Sequence, residues 1–361
     1  MKKQKKGFGA ALDNRTKVEK AKDYNFAELV SRVNPVAWTV KKKWRTFPIY
    51  DQNGSGSCVA QTAAKMLGIM YWLANQTFVM FSATHIYQQR SNKPAAGMIG
   101  VNAGDIVRAG GATLEELVPS QKMTDAQMDA IKIPAYKAQV GEIFKVCNYL
   151  TVAAKNIDTV ASIIQTTGKP VMVWFYFAID EWTTVPVVKH PTLKLSATDT
   201  ARHSVTAVDF TILSAAHTAD KKLHGKKALI IDDSWGTRFG AAGQRFITED
   251  FYKERNFFNL HFTNFKFEDG EQVENKAKPR YTFTRDLQFS ETVTYGNEDV
   301  IVLQNILKYE GLFPTNVEST GYFGAVTRKA VMDYQLKNGI KPPAGLVGVI
   351  TRSHLNAKYG N

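Results

Sequence analysis

The sequence predicts an α+β domain followed by a small all-α domain. Three observations carry this prediction. Apolar residues recur at helical spacing after Cys58; strand-type apolar runs crowd into the region after Lys169; a polar stretch at 266–282 separates both from a C-terminal helical repeat. Helices gathered early and strands late within one domain is the α+β arrangement.

Residues 1–44 form a basic arm, with a helix expected at Phe26–Val33. The α+β domain is expected to span 45–265. Val59, Ala63, Met66, Leu67, Met70, Tyr71 and Ala74 fall at helical spacing, which places a long buried helix at or just after Cys58. A second helix is expected over 104–118, after the glycines of 97–104. Lys169-Pro170 precedes Val171–Ile179, an unbroken apolar run of strand type. Ser204–Ile212 alternates in part and reads as strand, and Ala228–Ile231 is a short apolar strand. Residues 266–282 have almost no apolar content and read as a linker.

The unit from 283 to 361 contains an internal repeat. Gly-x-x-Gly-x-x-Thr-Arg begins at Gly321 and again at Gly345. The glycines suit tight turns that need positive φ. Thr327 and Thr351 are expected to N-cap the helices that follow. Val300, Leu303 and Leu307 mark an apolar stripe on a preceding helix, and Ala330, Val331 and Tyr334 mark the next. A three-helix module results.

Composition narrows the function classes. The 361 residues are 44% apolar and 22% charged, which excludes a mainly disordered chain. Two cysteines, Cys58 and Cys147, cannot build a disulfide framework or a four-cysteine metal site. No metal constellation or phosphate loop is present, so no cofactor is expected. No run approaches ~20 apolar residues, so no membrane span is expected. The basic start is not followed by an apolar segment, so no Sec signal peptide is expected; action at the cell wall would follow lysis, non-classical export or carriage in a virion. The net charge of +13 is uneven: residues 1–50 hold 13 Lys/Arg against 4 Asp/Glu, and 283–361 hold 8 against 7. The basic arm lacks aromatic interleaving and any nucleic-acid motif, so no nucleic-acid partner is expected. A monomer is expected, since two sites in one chain require no partner.

The stretch Asp51–Gln61, DQNGSGSCVAQ, carries the chemistry. A thiol at a helix N-terminus feels the positive end of the dipole, which favours thiolate. Backbone N–H groups there can hold a developing oxyanion, and the Gln52 amide, six residues earlier, can add a donor. Gly54, Ser55, Gly56 and Ser57 let a substrate backbone approach closely. Together these serve attack by sulfur on a carbonyl. Cys147 lies in the apolar run FKVCNYLTV and reads as core. A base is needed, and His203 heads a strand where its ring can face a cleft. His85 reads as structural; His190, His217 and His224 lie in polar loops, and His261 and His354 at a strand end and in the C-terminal module. Asp233, at the end of a short strand and before Ser234-Trp235-Gly236, can orient the imidazole.

Gln52, Gly56-Ser57-Cys58, His203 and Asp233-Ser234-Trp235-Gly236, in that order, resemble the papain family of cysteine peptidases. GTRFGAAGQRFIT after Trp235 and FSATHIY at 81–87 resemble further motifs of that family. The resemblance covers roughly 45–265. It implies a two-lobed fold, with a helical left lobe and a β-rich right lobe. It also implies Cys58 as nucleophile, His203 as base, Gln52 as oxyanion donor and Trp235 as a shield for the His–Asp contact. The sequence departs from the family in three places. Asp233 stands where the family has asparagine, which implies activity with a shifted pH profile. Val59 and Ser55 replace a tryptophan and a disulfide cysteine. The arm is too short for the family's long propeptide, so either there is no zymogen or the arm is a short cleft plug.

The C-terminal pattern resembles the three-helix peptidoglycan-binding domain, on Val300, Leu303-Gln304, Leu307, Gly311, Gly321, Phe323-Gly324, Thr327, Ala330-Val331, Gln335, Gly345, Gly348, Thr351 and Leu355. Tyr322 and Arg328 are read as exposed residues able to contact sugar or peptide. The combined expectation is a cysteine endopeptidase acting on polypeptide and tethered to the bacterial cell wall. One alternative is a phage-type lysin that cuts peptidoglycan stem peptides; another is a catalytically silent wall-binding or virion protein.

Overall fold

The computed structural model describes residues 9–20, 23, 35–146, 148–182, 185–198, 200–263, 279–290, 292, 295–313 and 319–360. The helix expected at 26–33, most of the linker and the core reading of Cys147 lie outside the described residues. The chain forms two compact units. One holds the residues up to 133 together with 144–265; the other holds 134–143 together with 266–361.

Helices α1 (Lys17–Lys20), α2 (Cys58–Asn75), α3 (Ala83–Tyr87), α4 (Gly100–Gly110) and α5 (Asp125–Ala130) come first, followed by α6 (Ala135–Glu142) of the second unit. Helices α7 (Ile157–Thr167), α8 (Ile179–Trp182) and α9 (Glu249–Arg255) return to the first unit. The strands are β1 (Tyr149–Val152), β2 (Val171–Phe177), β3 (Val187–Val188), β4 (Ala201–Ile212), β5 (Lys227–Asp232), β6 (Gln244–Thr248) and β7 (Asn256–Phe262). They make one sheet ordered β1-β7-β2-β4-β5-β6-β3, antiparallel except for the β3–β6 pair.

Helix α2 is buried without interruption from Cys58 to Met70. Burial on all sides, with Gln61 and Lys65 enclosed among apolar and small residues, makes it a core helix rather than a surface one. Gly68 lets it seat closely, because a Cβ there would fall 2.6 Å from the Val79 carbonyl oxygen. Ile69 packs with Val208, Ile230 and Phe246 of the sheet and with Leu213 just after β4. On the alternate face, Val173, Phe175, Val205 and Ala207 pack against α7 and α9. Helix α4 begins and ends earlier than the expected 104–118: Gly110 and Gly111 end it, the latter at φ 65°.

Two segments fall elsewhere than the sequence division places them. Part of the expected arm packs on the sheet's core: Val36 and Trp38 lie against it, Trp38 Nε1 donates to Asp158, and Thr39 O accepts from Ile212 N. Residues 134–143, expected in the first domain, group with the second unit through α6, where Tyr136 meets Phe289 at 5.1 Å.

In the second unit, α10 (Glu298–Tyr309), α11 (Ala325–Lys337) and α12 (Val349–Tyr359) enclose Leu303, Leu307, Phe323, Val331, Tyr334 and Leu355. Thr327 and Thr351 are not N-caps; Gly324 and Gly348 take those positions. The threonines sit one turn inside and accept from glutamines. Gln304 Nε2 donates to Thr327 Oγ1 at 3.0 Å and to Tyr322 O at 3.0 Å, while its Oε1 accepts from Gly321 N. Gln335 repeats this pattern with Thr351, Leu346 O and Gly345 N. The repeat is therefore a glutamine pinning each glycine turn from the preceding helix.

Candidate active site

Cys58 opens α2 and is fully buried. Ser57 stands at the capping position, but its side chain does not cap the helix. Its hydroxyl bonds Ser55 Oγ at 2.7 Å instead, and Gln61 Nε2 donates to it. The positive end of the helix is thus left to other acceptors.

Gln52 is buried and tied to the strand end that carries Asp233. Its N–H donates to Ser234 O at 2.8 Å, and Ser234 Oγ donates to its Oε1 at 2.5 Å. The side-chain amide donates to Ser55 O at 2.6 Å. This fixes the amide with oxygen toward Ser234 and nitrogen toward the Cys58 loop.

His203 is the third residue of β4, in register with Phe175 of β2. Its ring is wholly buried beside Trp235, 4.9 Å between centroids, with Trp182 perpendicular at 5.9 Å. His203 Nε2 bonds Asp233 Oδ1 at 2.8 Å. That commitment leaves Nδ1 without a partner inside ordinary hydrogen-bond limits, with Cys58 near enough to the ring to favour its charged form. Burial opposes the imidazolium, but Asp233 and then Cys58 outweigh it, and the His203 pKa rises to about 9.

Asp233 follows the last residue of β5 and uses all its acceptor capacity. Oδ1 also accepts from Ser234 N at 2.7 Å; Oδ2 accepts from Trp182 Nε1 at 2.9 Å and from Arg245 Nε at 2.8 Å. Burial alone would raise its pKa; His203 and then Arg245 overcome burial and hold it below the ordinary carboxylate value. Arg245 and Trp182 were not found from sequence. The available signal is an arginine directly before the apolar pair Phe246-Ile247, where a charge drawn into the core needs a buried partner.

Two further links join α2 to the sheet. Ser204 Oγ donates to Thr62 Oγ1, which donates to Cys58 O. Lys65 pairs with Asp232 at 2.7 Å. Trp235, read as a shield, is 4% exposed and lies over His203.

Gly56 lies close against Tyr87, Ala96 and Gly97. Its N–H donates to Asp125, which also accepts from Tyr87 Oη at 2.6 Å; Tyr87 Oη accepts from Gly97 N at 3.0 Å. Residues 9–11 of the arm pack against this segment. Met98 N donates to Gly9 O at 2.7 Å, Ala11 N donates to Met98 O at 2.9 Å, and Arg202 Nε donates to Ala10 O at 2.9 Å. A Cβ at Gly9 would lie 1.6 Å from Gly56 O, so only glycine fits there.

His85 and His261 are buried apart from this cluster, and burial lowers each pKa to about 4. Among the described residues, no group of three His, Cys, Asp or Glu could hold a metal, and no helix is long and apolar enough to cross a membrane. In the second unit Tyr322 is half-buried rather than exposed: its hydroxyl donates to Ser290 O at 2.9 Å. Arg328 is exposed and lies over the Phe289 ring.

Residues 5–256 match the family model described as papain family cysteine protease, and residues 296–355 match that described as a putative peptidoglycan binding domain. No curated protein sequence matches the chain. The fold is similar to that of xylellain, a cysteine protease from Xylella fastidiosa, at 17% identity, covering 73% of this chain and 98% of that one, with a TM-score of 0.54. It is similar also to digestive procathepsin L 3 of the Tenebrio molitor larval midgut, at 15% identity, covering 71% and 76%, with a TM-score of 0.51. With a family match that spans most of its length and the fold to accompany it, the chain belongs to the papain family of cysteine proteases and is a cysteine peptidase.

Proposed function

We propose that the protein is an endopeptidase for extended polypeptides, partly latent while its arm fills the cleft, and tethered to the cell wall by its C-terminal unit. The observation that carries this reading is the way Met98 holds Gly9 and Ala11 by backbone N–H and C=O. A cleft that grips an extended L-peptide by its backbone suits protein substrates better than stem peptides with D-centres.

The chemistry follows from the cluster. Cys58 thiolate attacks the scissile carbonyl carbon while His203 is imidazolium. The backbone N–H of Cys58 and the Gln52 amide stabilise the oxyanion. His203 gives its proton to the leaving amine, and an acyl-enzyme remains. His203 then takes a proton from water, water attacks the acyl carbon, and the thiolate departs. Asp233 orients the ring and Trp235 keeps water from the His–Asp contact.

The match at 296–355 supports a wall tether, which raises local concentration without altering the cleft. Tyr322 and Arg328 are the residues we assign to that contact, Tyr322 by its ring edge.

The test is mass spectrometry of soluble products from unfolded casein and purified sacculi in one tube, with the native protein and Cys58→Ala. Casein peptides lost in the variant, without muropeptides, are expected. Released stem peptides that depend on Cys58 would overturn the substrate assignment and make the protein a lysin.

A further inference from the structure

We propose that Arg245 is a positioning residue that makes Asp233 act as a neutral group, the buried carboxylate–guanidinium pair doing the work of a single uncharged amide. The inference rests on the cysteine peptidase reading and adds a residue to it.

The geometry is specific. Arg245 Nε meets Asp233 Oδ2 at 2.8 Å, and neither side chain is exposed to solvent. Nη1 donates to Val185 O at 2.8 Å, while Nη2 is buried without a hydrogen-bond partner. The guanidinium lies over Trp182 and Trp235, the two indoles that flank His203. A buried arginine with one nitrogen unsatisfied is costly unless its charge is needed.

Oδ2 of Asp233 faces two donors, Trp182 Nε1–H and Arg245 Nε–H. An asparagine could keep Oδ1 for His203 and Ser234 N. Its amide nitrogen would then point at both donors, beside an unpaired guanidinium. The carboxylate and the arginine therefore require each other. The charged groups that act on His203 are Cys58 on α2, Asp233 after β5 and, through Asp233, Arg245 on β6. The Lys65–Asp232 pair stands next to Asp233, with the Asp232 charge repelling that of Asp233 and Lys65 opposing it.

Removing only the arginine leaves Asp233 uncompensated and strengthens the imidazolium. Removing only the carboxylate charge leaves the arginine uncompensated and weakens it. Replacing both with amides removes the unpaired charge and repairs one of the two contacts, because a glutamine oxygen at 245 can accept from the asparagine nitrogen, while Trp182 Nε1 still faces that nitrogen.

The experiment uses the full chain with isotope-labelled histidine. The His203 midpoint is read by NMR, and casein hydrolysis is measured in parallel, for Asp233→Asn, Arg245→Gln, Arg245→Lys and the double amide variant. Arg245→Gln is expected to raise the midpoint by about one pH unit, Asp233→Asn to lower it, and Arg245→Lys to leave it near native. Asp233→Asn is expected to lose hydrolysis by roughly 10²-fold, and Arg245→Gln added to it to recover most of that loss. A midpoint unmoved in Arg245→Gln, or a double variant less active than Asp233→Asn alone, overturns the proposal. Should Arg245→Gln fail to fold, the double variant carries the test, since it leaves no buried charge unpaired; if it is less stable than Asp233→Asn, the proposal falls. Casein left intact by every protein, with the midpoints shifted as expected, would count against the substrate reading and not against the Arg245 assignment.

Discussion

Lys65 Nζ and Asp232 Oδ2 meet at 2.7 Å with 3% and 1% of their side chains exposed, one on the helix that begins at Cys58 and the other immediately before Asp233. The Lys65 ammonium also donates to Pro48 O, and Gln244 Nε2 donates to Asp232 Oδ1 at 2.7 Å. The pair ties the nucleophile's helix to the strand that orients the base. Lys65→Met strands a buried carboxylate and is expected to cost about 3–5 kcal/mol. Adding Asp232→Asn removes that charge, keeps an oxygen for Gln244 and recovers most of the loss. Denaturant titration of the three variants checks this; equal stability of Lys65→Met and native protein would refute it.

What was legible in the sequence was the local chemistry. The Cys58 helix, the strands from Val171 and Ala228, and the His203 and Asp233 positions follow from short patterns, because period and turn residues act over a few positions. What was not legible depends on contacts far apart in the chain. Arg245 and Trp182 reach Asp233 across 12 and 51 positions. Thr327 looked like a cap because threonine favours caps, but a buried Gln304 claims its hydroxyl and glycine takes the cap. Tyr322 looked exposed on a polar turn, and only the fold shows its hydroxyl bound to Ser290 O. Residues 36–39 read as arm because their neighbours are charged, yet Trp38 is anchored by Asp158, 120 positions away.

Gly9 makes the latency reading testable. A side chain there would collide with the Gly56 carbonyl, so Gly9→Val is expected to expel the arm. Alkylation of Cys58 by iodoacetamide and hydrolysis of casein should each rise about tenfold or more, since ~1.4 kcal/mol of lost seating suffices for that factor. Alkylation at the native rate would mean that the arm does not guard the thiol.

Gln304 is expected to control the stability of the second unit alone. Gln304→Ala leaves Gly321 N without its partner, while Tyr322 O keeps Thr327 Oγ1, and should cost about 1–2 kcal/mol. All six tryptophans lie in the first unit, so indole fluorescence reports that unit, while helical circular dichroism reports both. The variant should shift the early part of the dichroism transition and leave the fluorescence transition in place. A shift of the fluorescence transition instead would show that the network supports more than its own unit.

His203 sets the pH dependence. Its folded pKa is about 9, above the ordinary value of 6.5, because Asp233 and Cys58 together outweigh the burial that opposes its charge. A base whose pKa is raised by folding stabilises the fold fully below its unfolded value, and that contribution fades as pH climbs through the folded value. Stability from this pair should therefore be complete below about pH 6.5 and decline up to about pH 9. Activity should follow the same group: above about pH 9 the imidazolium that accompanies the thiolate and protonates the leaving amine is gone, so kcat/KM should fall with a limb near 9. Asp233→Asn leaves the buried Arg245 charge uncompensated near the ring, and the limb should move to lower pH. A kcat/KM profile against pH for both proteins, paired with thermal melts at pH 6, 8 and 10, checks the assignment. A limb that stays fixed in Asp233→Asn would separate the catalytic proton from His203.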